Sequence, residues 1–344
     1  MNAGIIGYGL MGQQRARSLA TIPDTRLAAV HEPDREKARK AQETWGCDLA
    51  PTYKALCERK DLDFIIVAVP HFLTRDVAIA ALSSGRHVLC EKPVGRNLAE
   101  ADAILRTLRP NQQFAAGFNY RYYPGIVRAK KLIGEGRIGA LRHIRFTLGH
   151  GGRPGYESEW KTSRELCGGG ALLDPGIHVV DLIRFFAGDV DTASADFFNA
   201  FWNVDVEDNV FATLRMREGV LAQLHISITE WKSLFACDLI GTDGMIQVRG
   251  RSGFYGPQRV SLTRRWEWLQ DPAQAVEDVE FPHEDTSFAD ELRDFVSTFH
   301  GAAAPNLGTA EDGRRALEVV QNLYAQGNWN LQPNQRAESA SIFA

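Results

Sequence analysis

Two hydrophobic rhythms divide the chain. Up to about residue 120, short apolar runs alternate with stretches of helical periodicity. Residues 3–7, 27–31, 64–69, 87–90 and 114–117 read as strands, and 10–22, 34–45, 73–84 and 97–108 as helices. The run 64–69 (FIIVAV) is continuously apolar, the mark of a strand covered on both faces. Gly85 supplies a stop signal behind the 73–84 helix. Such alternation predicts βαβ units with right-handed crossovers and a parallel sheet. Beyond residue 120 the period drops to two. Residues 141–148 (LRHIRFTL) alternate apolar with polar, and 210–216, 220–229, 234–241 and 245–249 follow as antiparallel strands. Glu218-Gly219 and Asp243-Gly244 mark turns between them. This pattern predicts an open antiparallel sheet covered on one side. Helices return at 287–299 and 309–324. The predicted class is α/β: an N-terminal doubly wound parallel sheet (1–120), a C-terminal α/β domain with an open, mainly antiparallel sheet (121–330), and a loose tail (331–344).

Composition narrows the partners. A length of 344 residues suits two domains, and a net charge of −4 offers no field for gripping nucleic acid or anionic lipid. No apolar run approaches the roughly 18 residues of a membrane span. No signal peptide is expected, because a glycine-punctuated strand begins at residue 3. The five cysteines (47, 57, 90, 167, 237) are scattered and form no CxxC, so neither a disulfide framework nor a cysteine zinc site is indicated. A soluble, cytoplasmic protein without nucleic-acid or membrane partners is expected.

Chemistry first enters at Gly7-Tyr8-Gly9-Leu10-Met11-Gly12, which fits G-x-G-x-x-G. It ends a predicted strand and opens a predicted helix inside a βαβ unit. There each glycine has a use: a tight turn, close backbone approach to pyrophosphate, and close helix–strand packing. The helix N-terminus offers free N–H groups to the phosphates. Glu32 closes the second strand, 20 residues past Gly12, where a carboxylate accepts ribose hydroxyls and repels a 2′-phosphate. The cofactor is therefore read as NAD, with NADP not excluded because His31 and Arg35 lie nearby.

Two further segments carry candidate catalytic groups. Cys90-Glu91-Lys92-Pro93 falls at the carboxyl end of a strand, where ligands of parallel sheets collect. Lys92 there can donate to a substrate oxygen or take part in proton transfer. The segment 168–186 (GGGALLDPGIHVVDLIRFF) is almost wholly apolar past its glycines, except for Asp174, His178, Asp181 and Arg184. On a helix, Asp174, His178 and Asp181 share one face, and a histidine oriented by a carboxylate is a general base for alcohol oxidation. Asp174-Pro175 also reads as a helix cap followed by proline at the first helical position. Two carboxylates and one histidine make a poor metal site, so none is expected.

Taken in order, GIIGYGLMG, AVP (68–70), CEKP (90–93), GFNYRY (117–122), GGGALLDPGIHVVDL (168–182), IGTDG (240–244) and TAEDGRRALEVVQNLY (309–324) resemble the Gfo/Idh/MocA oxidoreductases over nearly the whole chain. The resemblance implies a Rossmann domain followed by a substrate-binding and oligomerisation domain. It implies nicotinamide-dependent hydride transfer at a hydroxyl or keto group of a sugar, cyclitol or sugar derivative. By motif it assigns Lys92, Asp174 and His178 to catalysis and substrate. It assigns Gly7, Tyr8, Gly9, Leu10, Met11, Gly12, Glu32, Val69, Pro70, His71, Glu91, Lys92, Asn119 and Arg121 to the cofactor, with Arg121 also at the substrate. Trp160-Lys161 resembles a Trp-Arg pair of the family. After the 64–69 strand the family commonly reads Thr-Pro-Asn-x-x-His, where this chain has Val69-Pro70-His71-Phe72-Leu73-Thr74.

The mechanism expected has His178, oriented by Asp174, removing the hydroxyl proton while Lys92 donates to the same oxygen. The glycine-rich stretch 150–161 offers Tyr156 and Trp160 for stacking on a sugar ring and Arg153 for an anionic group; Arg153 and Arg164 leave a nucleotide-sugar open. Two rival readings are an NAD-sensing regulator without turnover, and a reductase of a dihydrodiol or tetrapyrrole. An open sheet needs its bare face covered, so a homodimer or homotetramer is expected.

Overall fold

The computed structural model describes residues 1–265, 277–282 and 284–327; the expected tail at 331–344 lies outside them. The chain forms two compact units. The first comprises Met1–Lys131, Arg251–Gly253 and Phe281–Glu318. The second comprises Leu132–Gly250, Phe254–Glu280 and the chain from Val319.

The first unit is built on strands β1 (Asn2–Ile6), β2 (Arg26–His31), β3 (Asp48–Leu49), β4 (Phe64–Val67), β5 (His87–Glu91) and β6 (Phe114–Gly117). Helices α1 (Leu10–Leu19), α2 (Arg35–Trp45), α3 (Tyr53–Cys57), α4 (His71–Ser83) and α5 (Leu98–Thr107) connect them. All pairings are parallel, in the order β3-β2-β1-β4-β5-β6. That is the Rossmann order, with a crossover between β3 and β4 that leaves a switch point beside β1. Every residue of β4 is buried, as its continuous apolar run predicts. Local chemistry sets the helix starts. The Asp34 carboxylate accepts the N–H groups of Glu36 and Lys37 at the head of α2, and Asn97 accepts that of Glu100 in α5. α4 begins at His71 rather than Leu73, because Pro70 takes the cap position. α1 ends at Leu19, short of the expected Ile22.

The return of a late helix to this unit is a departure from a single cut near residue 120. After α6 (Pro124–Gly134), strand β7 (Leu141–Gly149), helices α7 (Arg164–Cys167) and α8 (Gly176–Ala187) and strands β8 (Val190–Phe198), β9 (Asn209–Met216), β10 (Leu221–Ser227), β11 (Leu234–Gly241), β12 (Gly244–Arg249), β13 (Arg259–Arg264) and β14 (Glu277–Glu280) comes α9 (Ser287–Thr298). Its Leu292, Phe295 and Val296 are buried in the same core as Ile5, Phe64, Leu89 and Ala115. Phe295 meets Phe64 edge-on at 5.9 Å, and Phe299 stacks on His87 at 4.2 Å. The sequence marks α9 as one-faced but not what that face packs against.

The second unit is one sheet in the order β14-β13-β12-β11-β7-β10-β9-β8, antiparallel except for β7 against β10. α8 covers one face, against β7 and β10, with Ile177, Val180, Leu182 and Ile183 fully buried. Edge strand β8 escapes the sequence pattern: VDTASADFF is small and polar on both faces, and only Phe197 in it is buried. The last element among the described residues is α10 (Ala310–Gln326).

Candidate functional site

The glycine loop is crowded at two of its three glycines and open at the third. Gly7 has φ +89°, and a Cβ there would lie 2.3 Å from the Ala68 carbonyl oxygen. A Cβ on Gly12 would lie 2.0 Å from the Gly7 carbonyl oxygen, so α1 packs too closely on β1 for any side chain. A Cβ on Gly9, by contrast, would meet nothing within 4 Å. Gly9 occupies the cap position of α1 without a side-chain cap, and the first turn of the helix carries no acidic residue. The opening of α1 is thus an open, positively polarised cradle, which suits a pyrophosphate. Leu10 and Met11 flank it and are exposed (69% and 42%). Glu32 is braced to the loop: its carboxylate accepts the Tyr8 N–H at 2.7 Å and the Asp34 N–H at 3.0 Å. Val69 and Pro70 lie in the turn after β4, and His71 opens α4 as a buried side chain.

Lys92 follows the last residue of β5 and is half-buried. Glu91 is engaged by Arg15, whose Nε lies 2.7 Å from Glu91 Oε1 while its Nη1 lies 2.6 Å from Glu291 Oε2. One fully buried guanidinium therefore ties the helix of the glycine loop to the Cys90-Glu91-Lys92-Pro93 strand and to α9. Burial raises the Glu291 carboxyl to about 7 against the pull of Arg15. Asn119 donates to the Ser287 hydroxyl at 2.8 Å. Arg121 is buried, 3.3 Å from Asp312.

In the second unit Asp174 stands two residues before α8, with Pro175 at the cap position. The expectation that Asp174, His178 and Asp181 share a helical face is corrected to His178 and Asp181, both buried on α8. Asp174 does not cap α8 by its side chain. Its carboxylate takes the ammonium of Lys161 at 2.6 Å, and that charge holds the Lys161 pKa above the ordinary value. Arg153 forms a double contact with Glu159, at 2.5 and 2.7 Å, within its own loop. Tyr156 is buried with its ring 5.1 Å from that of Trp202; Trp160 is half-buried.

Arg15, Glu291 and Glu207, all buried, and the half-buried Tyr324 are polar residues that the sequence reading passed over. Arg15 and Glu291 carry a signal in the sequence. Arg15 falls on the stripe Gly12, Arg15, Ala16, Leu19, and Glu291 on Ser287, Glu291, Leu292, Phe295, where apolar residues belong. Among the described residues no group of three or more His, Cys, Asp or Glu side chains is gathered to hold a metal ion. Nor, among them, is any helix long and apolar enough to cross a membrane.

A Rossmann sheet with an open glycine loop, joined to a mainly antiparallel α/β unit, defines a two-unit dinucleotide-binding protein. Family models agree: residues 1–118 match the oxidoreductase family, NAD-binding Rossmann fold, and residues 126–247 match the GFO/IDH/MocA C-terminal domain. The chain belongs to the Gfo/Idh/MocA family of oxidoreductases. It is 30% identical over 207 residues to levoglucosan dehydrogenase of Pseudarthrobacter phenanthrenivorans, a match spanning 57% of this chain and about half (53%) of that protein. It is 27% identical over 355 residues to inositol 2-dehydrogenase 2 of Saccharopolyspora erythraea, covering 100% of this chain and 98% of that protein. The solved structure of levoglucosan dehydrogenase in complex with NADH shares the fold, with a TM-score of 0.83 at 22% identity over 95% of this chain and 96% of that one.

Proposed function

We propose that the protein is an NAD-dependent dehydrogenase acting on a CH–OH group of a sugar, cyclitol or sugar derivative. The observation that carries the reading is the glycine loop: an uncapped helix start, open space at Gly9, and Glu32 braced 2.7 Å from the loop backbone. The α1 opening would hold the pyrophosphate and Glu32 the ribose hydroxyls, which favours NAD over NADP. Relatives named for levoglucosan and inositol support the substrate class.

When bound, the nicotinamide supplies a hydride acceptor. The chain supplies the proton chemistry. His178, buried on α8, takes the hydroxyl proton. Lys92 donates to the same oxygen and stabilises its developing negative charge. Asp174, neutralised by Lys161, fixes the turn from which the His178 helix starts. His71, Asn119 and Arg121 belong to the cofactor side of this reading, and Tyr156 and Trp160 to the sugar side. The five buried, unbridged cysteines suit a reducing, cytoplasmic setting.

Formation of NADH across a panel of levoglucosan, myo-inositol and nucleotide-sugars tests the substrate class. Lys92→Ala and His178→Ala are each expected to lower kcat about 10²–10⁴-fold while NADH binding, followed by fluorescence, stays intact. Wild-type turnover in both variants rejects the assignment.

Exposed rings on the second unit's sheet, as the described residues leave them, support self-association. Phe211 and His225 stack there at 4.0 Å, with Phe198 beyond at 6.1 Å, and Phe211 is 48% exposed. A second copy covering this stack through a two-fold contact, as a homodimer or within a homotetramer, removes the exposed rings from water. Light scattering at micromolar concentration is expected to give a multiple of the chain mass, and Phe211→Asp a smaller species; a wild-type monomer refutes this.

A further inference from the structure

We propose that Glu207, together with Tyr324, is a positioning residue that holds the backbone of residues 168–176 in the shape that presents Asp174 and His178. The inference rests on the dehydrogenase reading above. Glu207 lies between β8 and β9 and is 1% exposed. Its Oε2 accepts the Gly170 N–H at 3.0 Å, and its Oε1 accepts the Leu172 N–H and the Tyr324 hydroxyl, each at 2.8 Å. Its own carbonyl accepts the Ala171 N–H at 2.9 Å. Three successive residues are thereby fixed by one. The next two bonds run straight to the site. Asp174 N–H reaches the Gly170 carbonyl at 2.9 Å, and Gly176 N–H reaches the Ala171 carbonyl at 2.9 Å, where α8 begins.

The glycines of this segment follow from the same clamp. A Cβ on Gly170 would sit 2.1 Å from the Glu207 carbonyl oxygen, and one on Gly169 would sit 2.3 Å from the Tyr324 hydroxyl. Gly168 takes φ +92°, which favours glycine.

All three partners donate to the Glu207 carboxylate, and the ionised form accepts from them more strongly than a neutral carboxyl would. Burial pushes this carboxyl up to about 7, while the bonds from Leu172, Tyr324 and Gly170 pull it down. The other titratable groups that face this cluster are Tyr324 itself, the Cys167 thiol beside it, and Tyr156. Protonation of Glu207 weakens its bonds from the Gly170 and Leu172 N–H groups and reverses the one with the Tyr324 hydroxyl, which loosens the segment. Turnover therefore falls on the acid side.

The test compares Glu207→Gln, Tyr324→Phe and His178→Ala with the wild type. It measures kcat and KM from pH 5.5 to 9 on whichever of levoglucosan or myo-inositol is oxidised, together with NADH affinity. Amide exchange of Gly170, Ala171 and Leu172 is followed in parallel and needs no substrate. Glu207→Gln is expected to lower kcat about tenfold or more and to speed exchange of those amides by a similar factor, with NADH affinity unchanged. Tyr324→Phe removes a bond to the charged form. It is expected to move the acid limb of kcat up by about half a pH unit or more and to speed Leu172 exchange. Unchanged exchange and an unmoved limb overturn the proposal, as does a loss of NADH affinity parallel to that of kcat, which marks general damage. If Glu207→Gln does not fold, Tyr324→Phe decides alone by the same two readouts. Wild-type turnover in His178→Ala removes His178 as the base, and absence of NADH formation by the wild type on either substrate removes the dehydrogenase reading instead; an inactive His178→Ala beside unaltered Glu207 and Tyr324 variants removes only the positioning role.

Discussion

In the first unit a single guanidinium, Arg15, draws two buried carboxylates, Glu91 and Glu291, onto itself. In the second unit a single buried carboxylate, Glu207, is held by two backbone N–H groups and a phenol. Each arrangement braces a segment to which the proposed function assigns chemistry: the strand that leads to Lys92, and the turn that leads to Asp174 and His178. The difference is in how charge is compensated. Burial, and after it the neighbouring Glu91, keeps a proton on Glu291 until the pH nears 7 although Arg15 pulls the other way. Glu207 has only dipoles to balance it, and its charge strengthens the bonds it accepts from them. A full cation makes the first brace strong and intolerant of truncation. Neutral donors make the second weaker and sensitive to protonation.

Arg15→Met breaks this comparison most directly. It keeps the stem and removes the charge, leaving two carboxylates facing each other in a dry core. Loss of one partner of a buried pair is expected to cost about 3–5 kcal/mol of stability. The cost is larger at pH 8 than at pH 6, because the stranded carboxyls take up protons as the pH falls. Chemical denaturation of the purified variant at both pH values checks this. A cost below about 1 kcal/mol, or one that does not change with pH, removes the ionic brace from the account.

The architecture was legible where periodicity alone decides it. Phe64 to Val67 is apolar throughout and is buried throughout; the alternation from Leu141 onward became β7 of an open sheet. Glycine chemistry was legible for the same reason, since a left-handed Gly7 and a crowded Gly12 are local demands. What the chain does not print is pairing at a distance. Arg15 and Glu291 sit on apolar stripes of their helices, a local oddity that signals burial, yet the sequence offers no way to join residues so far apart. Glu207 has no such signal, because it lies in a loop and its partners are mostly backbone. Asp174 was misplaced for a neighbouring reason. Asp-Pro before an apolar run is an ordinary helix start, but the Lys161 ammonium claims the carboxylate and Pro175 takes the cap.

Glu291→Gln sharpens the comparison with a smaller effect. A carboxyl raised to about 7 in the folded chain, against roughly 4.3 unfolded, binds its proton more tightly when folded. Its contribution to stability is complete below the unfolded value and is lost as the pH climbs through about 7. Between those limits the unfolded chain has released the proton and the folded chain has not, so stability falls with rising pH by up to about 1 kcal/mol per unit from this group. Glutamine cannot titrate. The unfolding free energy of Glu291→Gln is therefore expected to decline less than that of the wild type between pH 5 and pH 7. Glu207 has the same sign for stability, but its ionised form is the one that holds the Asp174 turn, so acid strengthens the fold while weakening that brace. Parallel curves for Glu291→Gln and the wild type place the shared proton elsewhere than on Glu291, and Arg15 then balances its two carboxylates in a way the 2.7 and 2.6 Å contacts do not imply.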